Sequence, residues 1–275
     1  MNSNQNHLKI SSINICGGLQ NHIPEIKKLL KTNKILLLQE VKISKHQITN
    51  FSKFFPEFNV IGDLVQYHNP LYRGRKSYQA LLSKRGVITI AHKSIPISFQ
   101  QATGEGRVLG CNISLPGIQE IGLINVYAPT KGSKGTIRKF WLSVSETINT
   151  LKRKGAQNIL VGGDFNAFTD VHMDKIKSSH STEPKNIKNE QFQLFQEEEH
   201  LLDIWRLRNP NKMDYTCSRS TVYRLIRTRI DSFLCSPELI PRITESSILP
   251  ANGIITDHRL VEITIPSSIE YMDFN

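Results

Sequence analysis

Asp164 and Asn166 stand two residues apart at the end of Gln157-Asn-Ile-Leu-Val-Gly-Gly-Asp-Phe-Asn166, an acid and an amide directly after an apolar run. On a continuing extended chain both side chains point the same way, into one site. An ordinary turn is the alternative, since Gly, Asp and Asn are turn residues. Groups of the same kind mark other apolar runs: Asn14, Glu40 and Tyr127 early in the chain, Asp231, Asp257 and His258 late in it. Glu40 follows Ile35-Leu-Leu-Leu-Gln39, and burying it unpaired is costly, so it either faces solvent or binds a cation. Asp231 lies within an apolar stretch and needs a partner; a histidine is the partner that makes chemical use of it. Phosphodiester hydrolysis needs such a set: hard carboxylate oxygens for Mg2+, neutral donors for the non-bridging oxygens, and a group to orient or deprotonate water. Of the nine histidines, His22, His46, His180 and His200 lie in polar surroundings and read as surface residues.

The elements that must position these groups are short strands and a few helices. Leu8–Ile15 alternates well enough for a strand and ends at Gly17-Gly18; Pro24 opens a helical stretch with Ile26, Leu29 and Leu30 on one face; Ile35–Glu40 reads as a buried strand. Phe51–Tyr78 is irregular. Tyr78–Ser83, Gly86–His92, Ile95–Phe99, Arg107–Ser114 and Glu120–Tyr127 follow as strands of a large, mainly antiparallel sheet system. Thr136–Lys154 is the clearest helix, with Ile137, Phe140, Trp141, Val144, Ile148 and Leu151 at three- and four-residue spacing as a core-packing stripe. The two glycines Gly162 and Gly163 are expected to let the end of the following strand turn tightly. Lys175–Asn189 lacks periodicity and reads as a mobile surface loop, Glu190–His200 as a helix, and Thr228–Cys235 and Ile254–Ile265 as two further strands.

The chain has 275 residues, 39% of them hydrophobic, with no composition break. Residues 8–266 are expected to form one domain, 1–7 a flexible N-terminus, and 267–275 a tail or the start of a linker. Lysine and arginine outnumber aspartate and glutamate by 35 to 24, a formal charge of +11 that suits a polyanionic partner. The basic loop His68–Tyr78, with Arg73 and Arg75 between tyrosines, suits phosphate contact plus stacking, although a solvated loop has the same composition. Cys16, Cys111, Cys217 and Cys235 are scattered without a C-x-x-C pair, which suggests neither a zinc site nor a disulfide framework. Neither a secretory signal nor a membrane-length apolar run is present, so a soluble intracellular protein with no membrane partner is expected.

In order along the chain, Ile13-Asn14-Ile15, Leu38-Gln39-Glu40, Asn125-Val-Tyr-Ala-Pro129, Gly162-Gly-Asp-Phe-Asn166, Arg229-Ile-Asp231 and Thr256-Asp-His258 resemble the endonuclease/exonuclease/phosphatase superfamily from Ile10 to Ile265. Within it, Asp203-Ile-Trp-Arg206, Asn209-Pro210, Tyr215-Thr216 and Phe140-Trp141 look like the apurinic/apyrimidinic-endonuclease-like domain of non-LTR (LINE-type) retrotransposons. The resemblance implies an α/β fold, a deoxyribonuclease I-like four-layer sandwich of two packed, mainly antiparallel sheets flanked by helices. It implies Mg2+, with Mn2+ as a substitute, bound by Glu40 with Asp257 and Asn14 completing or supporting the site. Asp164 would orient or deprotonate water, Asn166 and Tyr127 hold the phosphate, and Asp231 fix the His258 tautomer; the base is either Asp164 or His258. Thr216 matches a position that helps hold the scissile phosphate.

Ser218–Thr228 would be a hairpin probing double-stranded DNA, with Arg219, Arg224 and Arg227 on phosphates or the minor groove and Tyr223 stacking. Two departures bear on hydrogen bonding around the site: Cys16 where relatives often place a polar residue, and Val41 where threonine is common. The implied activity is a Mg2+-dependent endonuclease that nicks nuclear target DNA and leaves a 3'-hydroxyl to prime a reverse transcriptase carried in a longer polyprotein. The rivals are an abasic-site or 3'-end repair enzyme and a nucleic-acid-binding module with an inactive site.

Overall fold

The structure is a computed structural model that describes residues 7–65, 85–177, 187–221 and 224–266. In chain order its elements begin with β1 (His7–Asn14), α1 (Ile23–Leu30), β2 (Ile35–Gln39), α2 (Lys45–Ser52), β3 (Phe58–Asp63), β4 (Val87–His92), β5 (Ile97–Ala102), β6 (Val108–Leu115) and β7 (Ile118–Tyr127). They continue with α3 (Lys134–Arg153), β8 (Asn158–Asp164), β9 (Lys175–Lys177), α4 (Ile187–Glu198), β10 (Leu202–Asp203), α5 (Ile204–Arg208) and β11 (Cys217–Thr221). The last are β12 (Arg224–Thr228), β13 (Asp231–Cys235), β14 (Glu245–Leu249) and β15 (Leu260–Pro266).

Two six-stranded sheets result, ordered β14-β15-β1-β2-β4-β3 and β10-β13-β8-β7-β6-β5, with a small sheet β11-β12-β9 at one end. Pairing is antiparallel except for β1 with β2 and β7 with β8, which are parallel because α1 and α3 carry the chain back across the sheet.

Alternation along the central strands sorts the apolar side chains into three layers. Ile35 and Leu37 of β2 face Leu123, Leu160 and Phe233 between the sheets, while Leu36 and Leu38 face α1 and α2 on the outside. On the other sheet Val126 and Val161 meet Ile137, Trp141, Val144 and Ile148 of α3, and Phe192 and Phe195 of α4 close that cluster. Both faces of each central strand are therefore buried, which is why these strands read as continuous apolar runs. Each fully buried aliphatic side chain contributes about 1.5–3 kcal/mol. The expected four-layer sandwich is the observed one. The helix α3 begins two residues before the expected Thr136, at Lys134, because the Ser133 hydroxyl accepts from Thr136 N and caps it.

Several local expectations change. Thr228–Cys235 is not one strand: β12 and β13 lie in different sheets, and the chain crosses between them at Arg229–Ile230. Only Leu260–Pro266 of the last stretch is strand; Thr256–Arg259 is a loop. The expected loop 175–189 supplies β9 and the start of α4, its middle lying outside the described residues. Gly162 and Gly163 sit inside β8 rather than at a turn. A side chain at Gly162 would strike the Phe233 ring at 2.4 Å and at Gly163 the Val126 carbonyl at 2.1 Å, so the pair serves close packing of strand and sheet. His22 is buried, whereas His46 and His200 are exposed as expected. Residues 66–84 lie outside the described residues, and with them Arg73, Arg75 and the expected strand Tyr78–Ser83.

Candidate active site

Strand register assembles the site. Tyr127 at the end of β7 is level with Asp164 at the end of β8, and Asp164 is directly opposite Asp231, the first residue of β13. On the other sheet Asn14 ends β1 level with Gln39, so Glu40 emerges beside it. The Cys217–His258 bridge brings the last loop to the same place.

The side chains form one connected network. Asn14 Nδ2 donates to Asp164 Oδ2 at 2.8 Å and to Glu40 Oε2 at 3.3 Å, so one amide joins two carboxylates across the two sheets. Asp164 Oδ1 accepts from Asn166 N at 2.9 Å, and Asn166 Nδ2 donates to Ala128 O at 3.0 Å. Asn166 reaches this position in a left-handed conformation, φ 48, and not by strand alternation. Cys16, Glu40 and Lys42 share that conformation, with φ of 52, 54 and 53. Each carries a cost of roughly 1 kcal/mol or more, and such strain clusters where geometry serves function.

Asp231 holds His258 Nδ1 at 2.9 Å, leaving Nε2 turned 4.0 Å from Asp164 Oδ2 and 3.7 Å from Asp257 Oδ1. Asp257 also accepts from Cys16 Sγ at 3.0 Å and from Arg219 Nε at 3.0 Å. Lys42 Nζ lies 3.0 Å from Glu40 Oε1 and donates to Cys16 O at 2.6 Å. Arg107 donates to Tyr127 O at 2.8 Å and lies over the Tyr127 ring. Lys42 and Arg107 are site residues that the sequence pattern does not single out; a cation two residues after Glu40 is the available signal.

Electrostatics divide the acids from the donors. Burial, then the facing charge of Asp231, push Asp164 up to about 7, against the pull of His258 and Asn14. Burial alone would lower His258, but the charge and hydrogen bond of Asp231, with Cys217 and Asp164, hold it well above its ordinary value. Tyr127 is raised by burial and by Glu40 and Asp164, so its phenol stays a donor. Asp257 is lowered: burial opposes ionisation, and the Cys16 hydrogen bond, His258 and Arg219 overcome it.

Asp164's folded value lies above its unfolded 3.8, so the folded state binds the extra proton between those values. The stability this contributes is fully present below about 4 and is lost progressively as pH rises to about 7. In EDTA, wild-type unfolding free energy is expected to fall between pH 5 and 8, with Asp164 contributing about 2–3 kcal/mol at about 1.36 kcal/mol per tenfold change in proton affinity and the raised His258 adding to the loss above its unfolded value. The fall should be less steep in Asp164→Ala. Identical slopes in denaturant titrations would refute this.

The other residues singled out in the sequence are placed as follows. Thr216 is fully buried and its Oγ1 accepts from Ile230 N and Asp231 N, both at 3.0 Å, so it fixes the entry to β13. Arg219 stands on β11 with its guanidinium on Asp257, and Arg227 is exposed on β12 between β11 and β9. Residues 222–223, Tyr223 among them, and the Arg224 side chain lie outside the described part.

No family model matches the chain. It is 27% identical over 213 residues, 76% of its length, to the "Transposon TX1 uncharacterized 149 kDa protein" of Xenopus laevis, of which it spans 15%. Among solved structures, the catalytic domain of Xenopus laevis APE2 overlays with a TM-score of 0.73 at 18% identity, covering 96% of this chain and 94% of that one. The endonuclease domain of TRAS1, a telomere-specific non-LTR retrotransposon, overlays at 0.62 with 15% identity, covering 95% and 99%. The resemblance carried by the six motifs thus extends to the architecture: the chain has the deoxyribonuclease I-like fold of AP endonucleases and of a non-LTR retrotransposon endonuclease domain.

Proposed function

We propose that the chain is a Mg2+-dependent DNA endonuclease that nicks one strand of duplex DNA and leaves a 3'-hydroxyl for a reverse transcriptase to extend. The observation that carries this reading is the single network joining Glu40, Asn14, Asp164, Asn166 and, through Nε2, His258 at the mouths of both sheets. Glu40 and Asp257 offer the hard oxygens that Mg2+ requires, and Lys42 against Glu40 Oε1 marks a place where positive charge is already favoured. Asn14 supports that pair by fixing Glu40. When bound, the cation neutralises charge on the phosphate and on the departing oxygen.

The remaining steps belong to the chain's own groups. Near neutral pH the Asp231-held His258 is an imidazolium whose Nε2 donates to a non-bridging oxygen as charge develops there. Asp164, with a value near neutrality, is the better base and takes the proton of the attacking water. Tyr127 and the second amide hydrogen of Asn166 hold the phosphate. Arg219, Arg227, Lys42 and Arg107 supply positive charge toward the DNA backbone, with Thr216 acting through Asp231. Similarity to 15% of a transposon protein supports placing this chain in a longer polyprotein.

The fold shared with AP endonucleases, a 3' phosphatase and a 3'-5' exonuclease favours one second reading, cleavage at abasic sites or 3' ends. Intact supercoiled plasmid, an abasic duplex and a recessed end, each in Mg2+ or EDTA, separate the two. The expected result is nicking of intact plasmid in Mg2+ alone, at ends that a polymerase extends. Cleavage confined to abasic or recessed substrates would establish the repair reading, and binding with no cleavage would overturn both.

A further inference from the structure

Cys16 and Cys217 bracket Asp257: Cys16 Sγ lies 3.0 Å from Oδ1 and Cys217 Sγ 3.8 Å from Oδ2. The hard-oxygen chemistry proposed above uses neither thiol. Cys16 Sγ, a carboxylate oxygen of Asp257 and a ring nitrogen of His258 all lie within 4.8 Å of one another. His258 is 3% exposed, its Nδ1 is taken by Asp231, and its Nε2 points to Asp257 Oδ1 at 3.7 Å.

We propose that Cys16, Asp257 and His258 form a binding site for a thiophilic divalent cation of the zinc type, with an open fourth position beside Cys217.

Three features of the geometry support the assignment. A tetrahedral zinc site places sulfur, nitrogen and oxygen ligands roughly 3.3–3.6 Å apart. The two separations on the Asp257 oxygen, 3.0 and 3.7 Å, bracket that spacing, so a small side-chain adjustment closes the site. A carboxylate on Nδ1, as Asp231 provides, is the arrangement that fixes an imidazole for metal binding through the other nitrogen. Thiolate and imidazole select zinc-like ions over Mg2+, whose preference is for oxygen. On binding, the Cys16 thiol proton and the Nε2 proton of His258 leave to solvent, so the site fills more readily at mildly alkaline pH. Glu40 and Asn14 are left out of this ligand set. Because the ion would occupy Nε2 and Asp257, it would compete with hydrolysis; that consequence rests on the nuclease reading, but the binding does not.

The test therefore uses metal alone, without DNA. Co2+ titrated into the purified protein is expected to give a thiolate-to-cobalt charge-transfer band saturating at one equivalent. Zn2+ should displace it and an equal concentration of Mg2+ should not. Cys16→Ser and Cys16→Asp should both lose the band. Zn2+ affinity should fall in Cys16→Ser by at least the roughly 10–100-fold lost when only a supporting partner of a metal ligand is removed, whereas Cys16→Asp, which offers a carboxylate in place of the thiolate, should lose the band but less of the affinity. No thiolate band in the wild-type protein, a band that survives in either folded variant, or displacement by Mg2+ would overturn the proposal. Plasmid nicking in Mg2+ is scored separately, so a failed site and a failed nuclease reading give different results.

Discussion

His258→Ala is expected to lower the rate of plasmid nicking in Mg2+ by on the order of 10²-fold or more, the loss typical of removing one preorganised donor from a developing oxyanion. His258 brings its charge to the site at no cost in reorganisation: Asp231 already holds Nδ1, and Thr216 fixes Asp231 through its backbone. Asp164→Ala should cost a similar factor, because it removes the proposed base and frees the Asn14 amide that ties the two sheets together. Asp164 Oδ2 and His258 Nε2 lie 4.0 Å apart, and in the proposed mechanism they serve one phosphate, so the double variant should be little worse than the poorer single one. Single-turnover nicking with excess enzyme checks this directly. Rates of both single variants within tenfold of wild type would remove these residues from the chemistry, and the nuclease mechanism with them.

How far the site can be read from the sequence depends on whether its groups are placed by local or by distant pairing. The residues that end apolar runs, Asn14, Glu40, Tyr127 and Asp164, are legible because a strand's end is visible in its own pattern. The stripe Ile137, Phe140, Trp141, Val144 and Ile148 is legible for the same reason, and all of it is buried. What periodicity does not supply is register: that Asp231 lies opposite Asp164 and Tyr127 level with it is a fact about three strands, not one. Nor does it show the break at Arg229, because an apolar run containing an acid looks the same whether the chain continues or crosses to another sheet. Asn166 illustrates a third limit. Strand alternation pairs it with Asp164 for the wrong reason, since a left-handed turn delivers the amide. The DNA-facing assignments to Arg73, Arg75 and Tyr223 rest on composition alone, because these residues lie outside the described part.

Arg229→Met is expected to cost about 3 kcal/mol of stability, the lower end of the loss on removing one partner from a buried ion pair, because Arg206 stays against Asp174 and offsets part of its charge. The Arg229 side chain is 2% exposed and Asp174 wholly buried. Nε and Nη2 grip the two oxygens of Asp174 at 2.8 and 3.0 Å, and Nη1 reaches Asp203 at 2.7 Å. Burial opposes its charge, yet Asp203 and Asp174 raise Arg229 above even its ordinary value. Both Arg229 and Arg206 lie over the Trp205 ring, and Arg206 also bonds Asp174. The residue therefore clamps the approach to β9, the cap of α5 and the crossover into β13 at one point, two residues before Asp231. Lysine cannot replace it, because a single ammonium does not span the fork, so Arg229→Lys should lose most of the same stability. If the charge of Asp174, left with Arg206 alone, is the cause, Asp174→Asn combined with Arg229→Met should cost less than the two single losses added together. Urea unfolding of the wild type, the two single variants and the double variant measures this; a loss below about 1 kcal/mol in Arg229→Met, in the range of an exposed pair, would show that the clamp does not hold the crossover.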